Sequence, residues 1–268
     1  MGAIADADVA PVAALMGDRA RCAMLTALID GSERPAGELA KAAGVSAATA
    51  SGHLQRMVAG GLVTVRSSGR HRYYGLSGPL VAAAIEALSL ISPPVEARSL
   101  RQSVAAAAMA EARSCYDHLA GRAGIALRDT LLASGLLSAD GTRDWRPTDR
   151  GLRFLDEFGL DAGPMLRSRR ILARDCLDWT ERKPHLAGVL PAALLARFLE
   201  LGWLDRRRHD RALTITDLGH ANLPALGQSP APGFLAGATR QPRRQRTVVY
   251  TRVYTTVHYL SRSPARSG

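Results

Sequence analysis

The chain has 268 residues, 47% apolar and 22% charged, an ordinary balance for a soluble globular protein. It has no apolar run of roughly 18 residues, no basic leader, and only three scattered cysteines. These features exclude a transmembrane helix, a secretory signal and a disulfide framework, and predict a cytoplasmic chain with no membrane partner. The formal net charge of +11 is concentrated in a tail where seven arginines follow Thr239 without an acid, so charge alone does not identify a nucleic-acid binder.

Residues 8–30 are predicted to form two helices separated by Gly17-Asp18. Val12, Leu15 and Met16, then Met24, Leu25 and Leu28, recur at helical spacing, and Gly31 closes the second helix. Cys22 is placed on the apolar side of that helix as a packing residue. A short helix over 38–42 follows Pro35, Gly44-Val45 is a tight turn, and Ser46 is the N-cap of a helix running to Gly60-Gly61. The period then changes to two. Residues 62–66 and 70–76 are strands about a Ser67-Ser68-Gly69 turn. Ser77-Gly78-Pro79 opens a helix to Ile91, and Ser92-Pro93-Pro94 ends a first domain of residues 1–92.

Helix, helix, turn, helix, hairpin is a winged helix-turn-helix order. Leu39, Val45, Leu54, Met57 and Leu62 are the positions that pin its helices together. Ala47, Ala48, Thr49, Ser51, Gly52, Gln55 and Arg56 are left as a small, polar face able to enter a major groove. Gln55 suits adenine, and Arg56 guanine or a phosphate. Arg66, Arg70, His71 and Arg72 around the hairpin suit flanking phosphates.

The residues Glu38-Leu39-Ala40, Val45-Ser46, Thr49 to Leu54, Gly61-Leu62-Val63 and Gly69 to Tyr74 together resemble the ArsR-type winged-helix repressors. The resemblance covers about residues 10–91. It implies a cytoplasmic homodimer that binds double-stranded operator DNA and releases it on sensing a metal or another inducer. One departure stands out. Metal-sensing members often carry a Cys-x-Cys pair on the helix before the turn, and residues 35–40 contain no cysteine here.

Residues 95–227 contain an internal repeat. His118-Leu119-Ala120-Gly121 recurs as His185-Leu186-Ala187-Gly188, and Gly135-Leu136-Leu137 as Gly202-Trp203-Leu204, both at an offset of 67 residues. Thr148-Asp149-Arg150-Gly151 recurs as Thr216-Asp217-Leu218-Gly219, one residue further out. Each copy is predicted to be helix, helix, strand, turn, strand, helix. The fold class is therefore mainly α with small β-hairpins: a winged helix-turn-helix domain, then a duplicated winged-helix-like domain with a cleft between copies that senses or dimerises.

Cys115, Asp117 and His118 precede the first copy, and Cys176, Asp178, Glu181 and His185 the second. The Cys115-x-x-His118 spacing would place thiolate and imidazole on one helix face. If the two corners meet, these four residues make a tetrahedral site for a transition-metal ion such as zinc, although no cofactor is required. The cysteines do not stand at equivalent repeat positions, since Arg182 lies three residues before His185. Three readings stay open for the four: structural residues, a soft-metal or redox sensor, or contacts to an organic ligand. Trp145, Trp179 and Trp203 are read as core or pocket wall.

Residues 228–268 carry no core pattern and are expected to be a disordered basic tail with non-specific phosphate affinity. The function these features support is a sequence-specific DNA-binding regulator, a dimeric repressor rather than an enzyme. Two alternatives remain: a thiol-dependent enzyme using Cys115 and His118, and an interaction module of winged-helix shape that binds no DNA.

Overall fold

In a computed structural model of the chain, the residues described are 6–141, 144–207 and 210–226, so the expectations for the tail at 228–268 lie outside them. The first helices are α1 (Ala10–Met16) and α2 (Arg19–Ala27), and Asp18 between them accepts from the Arg21 N–H as N-cap of α2. Arg21 is buried. Its guanidinium donates to the Leu15 and Ala14 carbonyls and so closes the C-terminal end of α1.

A two-residue strand, β1 (Arg34–Pro35), leads into α3 (Ala36–Ala43), which ends at Gly44 with φ +65°. That left-handed turn favours glycine and redirects the chain into α4 (Ala47–Ala59), whose N-cap Ser46 accepts from the Thr49 N–H. β2 (Val63–Ser68) and β3 (His71–Leu76) pair antiparallel from Val63↔Leu76 to Ser68↔His71, so the hairpin reaches further than the sequence indicates and turns at Gly69-Arg70. β1 adds to β3, giving the order β1-β3-β2, with Pro35 on an edge where its missing N–H costs no ladder bond. α5 (Pro79–Ile91) completes this half. Its core joins Met24, Leu25, Leu28, Leu39, Leu54, Met57, Leu62, Tyr74 and Ile85, all buried. Val45 is half-buried against it. Cys22 is exposed, so it is not the packing residue its helix position implies.

Residues 92–98 hold no helix or strand and are exposed. After α6 (Leu100–Glu111), one element order occurs twice. The first run is β4 (Arg113–Cys115), β5 (His118–Ala120), α7 (Arg122–Ala133), β6 (Leu137–Ala139), β7 (Trp145–Pro147) and α8 (Asp149–Glu157). After α9 (Ala162–Leu166), the second is β8 (Arg174–Leu177), β9 (Pro184–Ala187), α10 (Val189–Glu200), β10 (Leu204–Arg206), β11 (Leu213–Ile215) and α11 (Asp217–Asn222). Each run opens with a β-hairpin rather than the predicted helix. His118-Leu119-Ala120 and His185-Leu186-Ala187 are strands, and an apolar triplet of this length fits either state until a partner is known.

The repeated motifs adopt matching local structure. Thr148 and Thr216 cap α8 and α11, accepting from the Gly151 and Gly219 N–H groups and donating to the Gly135 and Gly202 carbonyls. A Cβ on Gly151 or Gly219 would collide with the Leu136 or Trp203 carbonyl oxygen, so both positions require glycine for close approach. The packing is also reciprocal: α7 lies on β9, α10 on β5, and β5 beside β9. Trp203 is core, stacked on Phe198 at 5.5 Å, whereas Trp145 is half-buried and donates to Asp175.

The two halves dock beyond the linker. Tyr116, in the β4–β5 turn, packs against the core of the first half. Arg211 forms a nearly buried ion pair with Glu86 on α5.

Candidate functional site

On α4, Ala47, Ala48, Thr49, Ser51, Gln55 and Arg56 are exposed, and Gly52 is half-buried beside open space. The opposite face carries buried Ala50, Leu54 and Met57. A helix anchored on one side and small and polar on the other can lie in a major groove, with Gln55 and Arg56 reaching base edges. Thr49 lies 2.9 Å from Ser46 Oγ and so shares in the cap. His53 is half-buried beside Arg21 and Asp18, on the inner side, and serves the fold.

The hairpin residues divide. Arg70, His71 and Arg72 are exposed towards the hairpin tip. Arg66 is exposed as well, but it pairs with Glu33 at 2.6 Å and covers the Tyr73 ring at 5.3 Å. The pair with Glu33 ties Arg66 to the chain ahead of β1 and braces the wing. Glu33 is the partner the sequence reading missed, because β1 is too short to carry a periodicity.

The second constellation lies where β4–β5 meets β8–β9. Cys115 and His118 are cross-strand neighbours in the first hairpin, and Cys176 and His185 in the second. The expected shared helix face is therefore replaced by a cross-strand pair. The cysteines do hold equivalent positions: the hairpins share that register and differ in loop length, which sequence spacing counts and strand pairing ignores. One ligand atom from each residue lies within 4.8 Å of the other three. The His118 and His185 rings are stacked, with centroids 5.2 Å apart.

Each histidine has an aspartate beside Nδ1. Asp117 Oδ1 is 3.4 Å from His118 Nδ1, and Asp178 Oδ2 is 3.5 Å from His185 Nδ1. Asp117 is held by Arg170 at 2.6 Å and Asp178 by the fully buried Arg113 at 2.9 Å. Both Nε2 atoms, and Nδ1 of His185, are buried without a hydrogen-bond partner among the described residues.

The two thiols are shifted in opposite directions. A hydrogen bond with Cys176, together with burial, pushes the Cys115 thiol well above its ordinary range. The same hydrogen bond, with His118 and His185 facing it, draws the Cys176 thiol well below its ordinary range. Burial opposes charge on His118, but Asp117 and Cys176 outweigh it and raise its pKa.

Comparison with known proteins gives three findings. A family model described as a helix-turn-helix domain matches residues 16–66. The HTH-type transcriptional regulator YdfF of Bacillus subtilis (strain 168) is 39% identical over 212 residues, covering 79% of this chain and 93% of YdfF. Among solved structures, NolR from Sinorhizobium fredii is 30% identical over 32% of this chain and 86% of its own, with a TM-score of 0.30. The homodimeric winged helix-turn-helix domain of Mb0332 from Mycobacterium bovis is 32% identical over 31% of this chain and 76% of its own, with a TM-score of 0.29.

Proposed function

This chain belongs to the HTH-type transcriptional regulators, and from that premise we propose that it is a dimeric, ArsR-type repressor that reads an inverted-repeat operator and answers to a signal received by its second half. It is a DNA-binding regulator. The observation that carries the finer reading is α4: its buried face is locked into the core while Ala48, Ser51, Gly52, Gln55 and Arg56 stand clear for the groove. Gln55 and Arg56 read bases, and Arg70, His71 and Arg72 hold the flanking phosphates.

Dimerisation is supported by apolar side chains left uncovered. Val9 and Val12 at α1, and Leu80, Leu88 and Ile91 on α5, are between 40% and 81% exposed. A second copy covering them twofold would place two α4 helices on successive major grooves. We read residues 95–227 as a duplicated winged-helix-like unit, on its repeated element order and its matched Thr-Asp-x-Gly caps, and assign it the sensing role. The protein works in the cytoplasm.

The test is selection of bound duplexes from a random-sequence library by the full chain. An inverted repeat with half-sites about one helical turn apart is the expected product. Enrichment of no sequence would overturn the reading.

A further inference from the structure

We propose that Cys115, His118, Cys176 and His185 form a site for a thiophilic transition-metal ion of the zinc class, and that its occupancy sets DNA affinity through Tyr116 and the Arg211–Glu86 pair. The coupling rests on the regulator reading above; the site itself does not.

The geometry is close to what such an ion needs. Zinc–sulfur bonds of about 2.3 Å and zinc–nitrogen bonds of about 2.0–2.1 Å place tetrahedral ligands roughly 3.3–3.8 Å apart. The four donor atoms already lie within 4.8 Å of one another, from two hairpins that no covalent link joins at that point. Two thiols and two imidazoles select a soft or borderline ion over calcium or magnesium, which prefer oxygen.

The surroundings favour a metal over a structural cluster. Asp117 is hydrogen-bonded to Nδ1 of His118, the arrangement that orients a ligating imidazole, and Asp178 lies 3.5 Å from Nδ1 of His185. Buried polar atoms normally have partners, yet both Nε2 atoms have none among the described residues. A Cys115–Cys176 disulfide would consume the two thiols and leave both imidazoles as they are. A single ion would engage one donor atom of each of the four residues.

The site touches the DNA-binding half on two sides of one ligand. Tyr116 follows Cys115 at φ +58° and packs against the first core, its carbonyl oxygen 3.4 Å from where a Cβ on Gly31 would stand. Ser114 precedes Cys115 and donates its N–H to the Arg211 carbonyl at 3.0 Å. The Arg211 guanidinium then pairs with Glu86, and both side chains are at least 90% buried. Movement of Cys115 towards an ion therefore displaces contacts to the end of α2 and to α5, which follows the wing and carries part of the uncovered apolar face.

The test uses the full chain stripped of metal with a chelator. Titration with Co(II) should give one ion per chain, with tetrahedral ligand-field bands and a thiolate charge-transfer band displaced by Zn(II); Cys176→Ser should cut that band by about half or more, and the Cys115→Ser, Cys176→Ser double variant should lose it. Fluorescence anisotropy on the selected duplex should show Kd changing at least about tenfold with one equivalent of Zn(II). Glu86→Gln should keep the Co(II) spectrum and shrink that change. No charge-transfer band in a chain that binds its duplex overturns the site and leaves the regulator reading intact. The band with no change in Kd overturns the coupling alone. The band in a chain that selects no duplex overturns the regulator reading and the coupling, and supports the site. A Cys115–Cys176 disulfide that persists under reducing conditions, leaving no thiol for the ion, overturns the metal assignment.

Discussion

Replacement of Asp178 by alanine should destabilise the protein more than any other single change at the hairpin junction. Its carboxylate is fully buried and accepts from Arg113 Nη2 at 2.9 Å, the Gly121 N–H at 2.8 Å, the Thr180 N–H at 2.9 Å and hydroxyl at 2.6 Å, and the Glu181 N–H at 3.2 Å. Without it the Arg113 guanidinium stays buried, with only Thr180 Oγ1, the Met109 carbonyl and the Trp179 ring for company. An uncompensated buried charge costs about 3–5 kcal/mol. Arg113→Met is milder, about 1–3 kcal/mol, because Asp178 keeps its other donors. With a urea slope of about 2–3 kcal/mol per molar, Asp178→Ala should lower the unfolding midpoint by roughly 1–2 M, read by circular dichroism.

The pH dependence has a definite sign. Burial raises the Asp178 pKa, but Arg113 and the hydrogen-bond donors outweigh it and hold it well below the ordinary carboxylate value. The contribution is therefore present above the unfolded pKa of about 3.9 and is lost as pH falls towards the folded value. The gap between wild type and Asp178→Ala should be flat near neutrality and narrow below about pH 4. A loss under about 1 kcal/mol, or a greater loss from Arg113→Met, would refute the reasoning.

Three further outcomes follow from the geometry. Arg72→Ala should reduce the salt dependence of DNA binding by about one phosphate contact, while Arg66→Ala should change it less, because Glu33 already pairs with Arg66; Kd measured against salt concentration separates them. Gly151→Ala and Gly219→Ala should each cost about 1–3 kcal/mol by forcing a methyl against a carbonyl oxygen, whereas Gly52→Ala, beside open space in a helix, should not destabilise; thermal melts compare the three. Ile91→Glu should weaken the dimer by about tenfold or more in sedimentation velocity, since it places a charge on the face assigned to the second copy.

The N-terminal half was legible in the sequence because its signals are local. Gly44 at φ +65° and the Ser46 cap are single-residue requirements, and Leu39, Leu54 and Met57 follow helical spacing into the core. β1 was not legible, since two residues carry no period and Arg34-Pro35 is a strand only because β3 lies beside it. In the second half the repeat marked the matched Thr-Asp-x-Gly turns, but His-Leu-Ala is too short to separate strand from helix. Cys115 and Cys176 looked unrelated because their distances to His118 and His185 along the chain differ, although their cross-strand positions are the same. Asp117 and Asp178 stand in the sequence among the cysteines and histidines, but their approach to the two imidazoles, like the Arg211–Glu86 contact, is a product of tertiary packing.

The most direct test of the central claim is fluorescence anisotropy of the full chain, and of its Gln55→Ala, Arg56→Ala double variant, on the selected duplex and a scrambled one at physiological salt. Wild type should prefer the selected duplex by about a thousandfold or more, and the variant should lose most of that preference while keeping its non-specific affinity. Equal affinity of wild type for both duplexes, unchanged by the double substitution, would contradict the assignment of α4 as the reading helix.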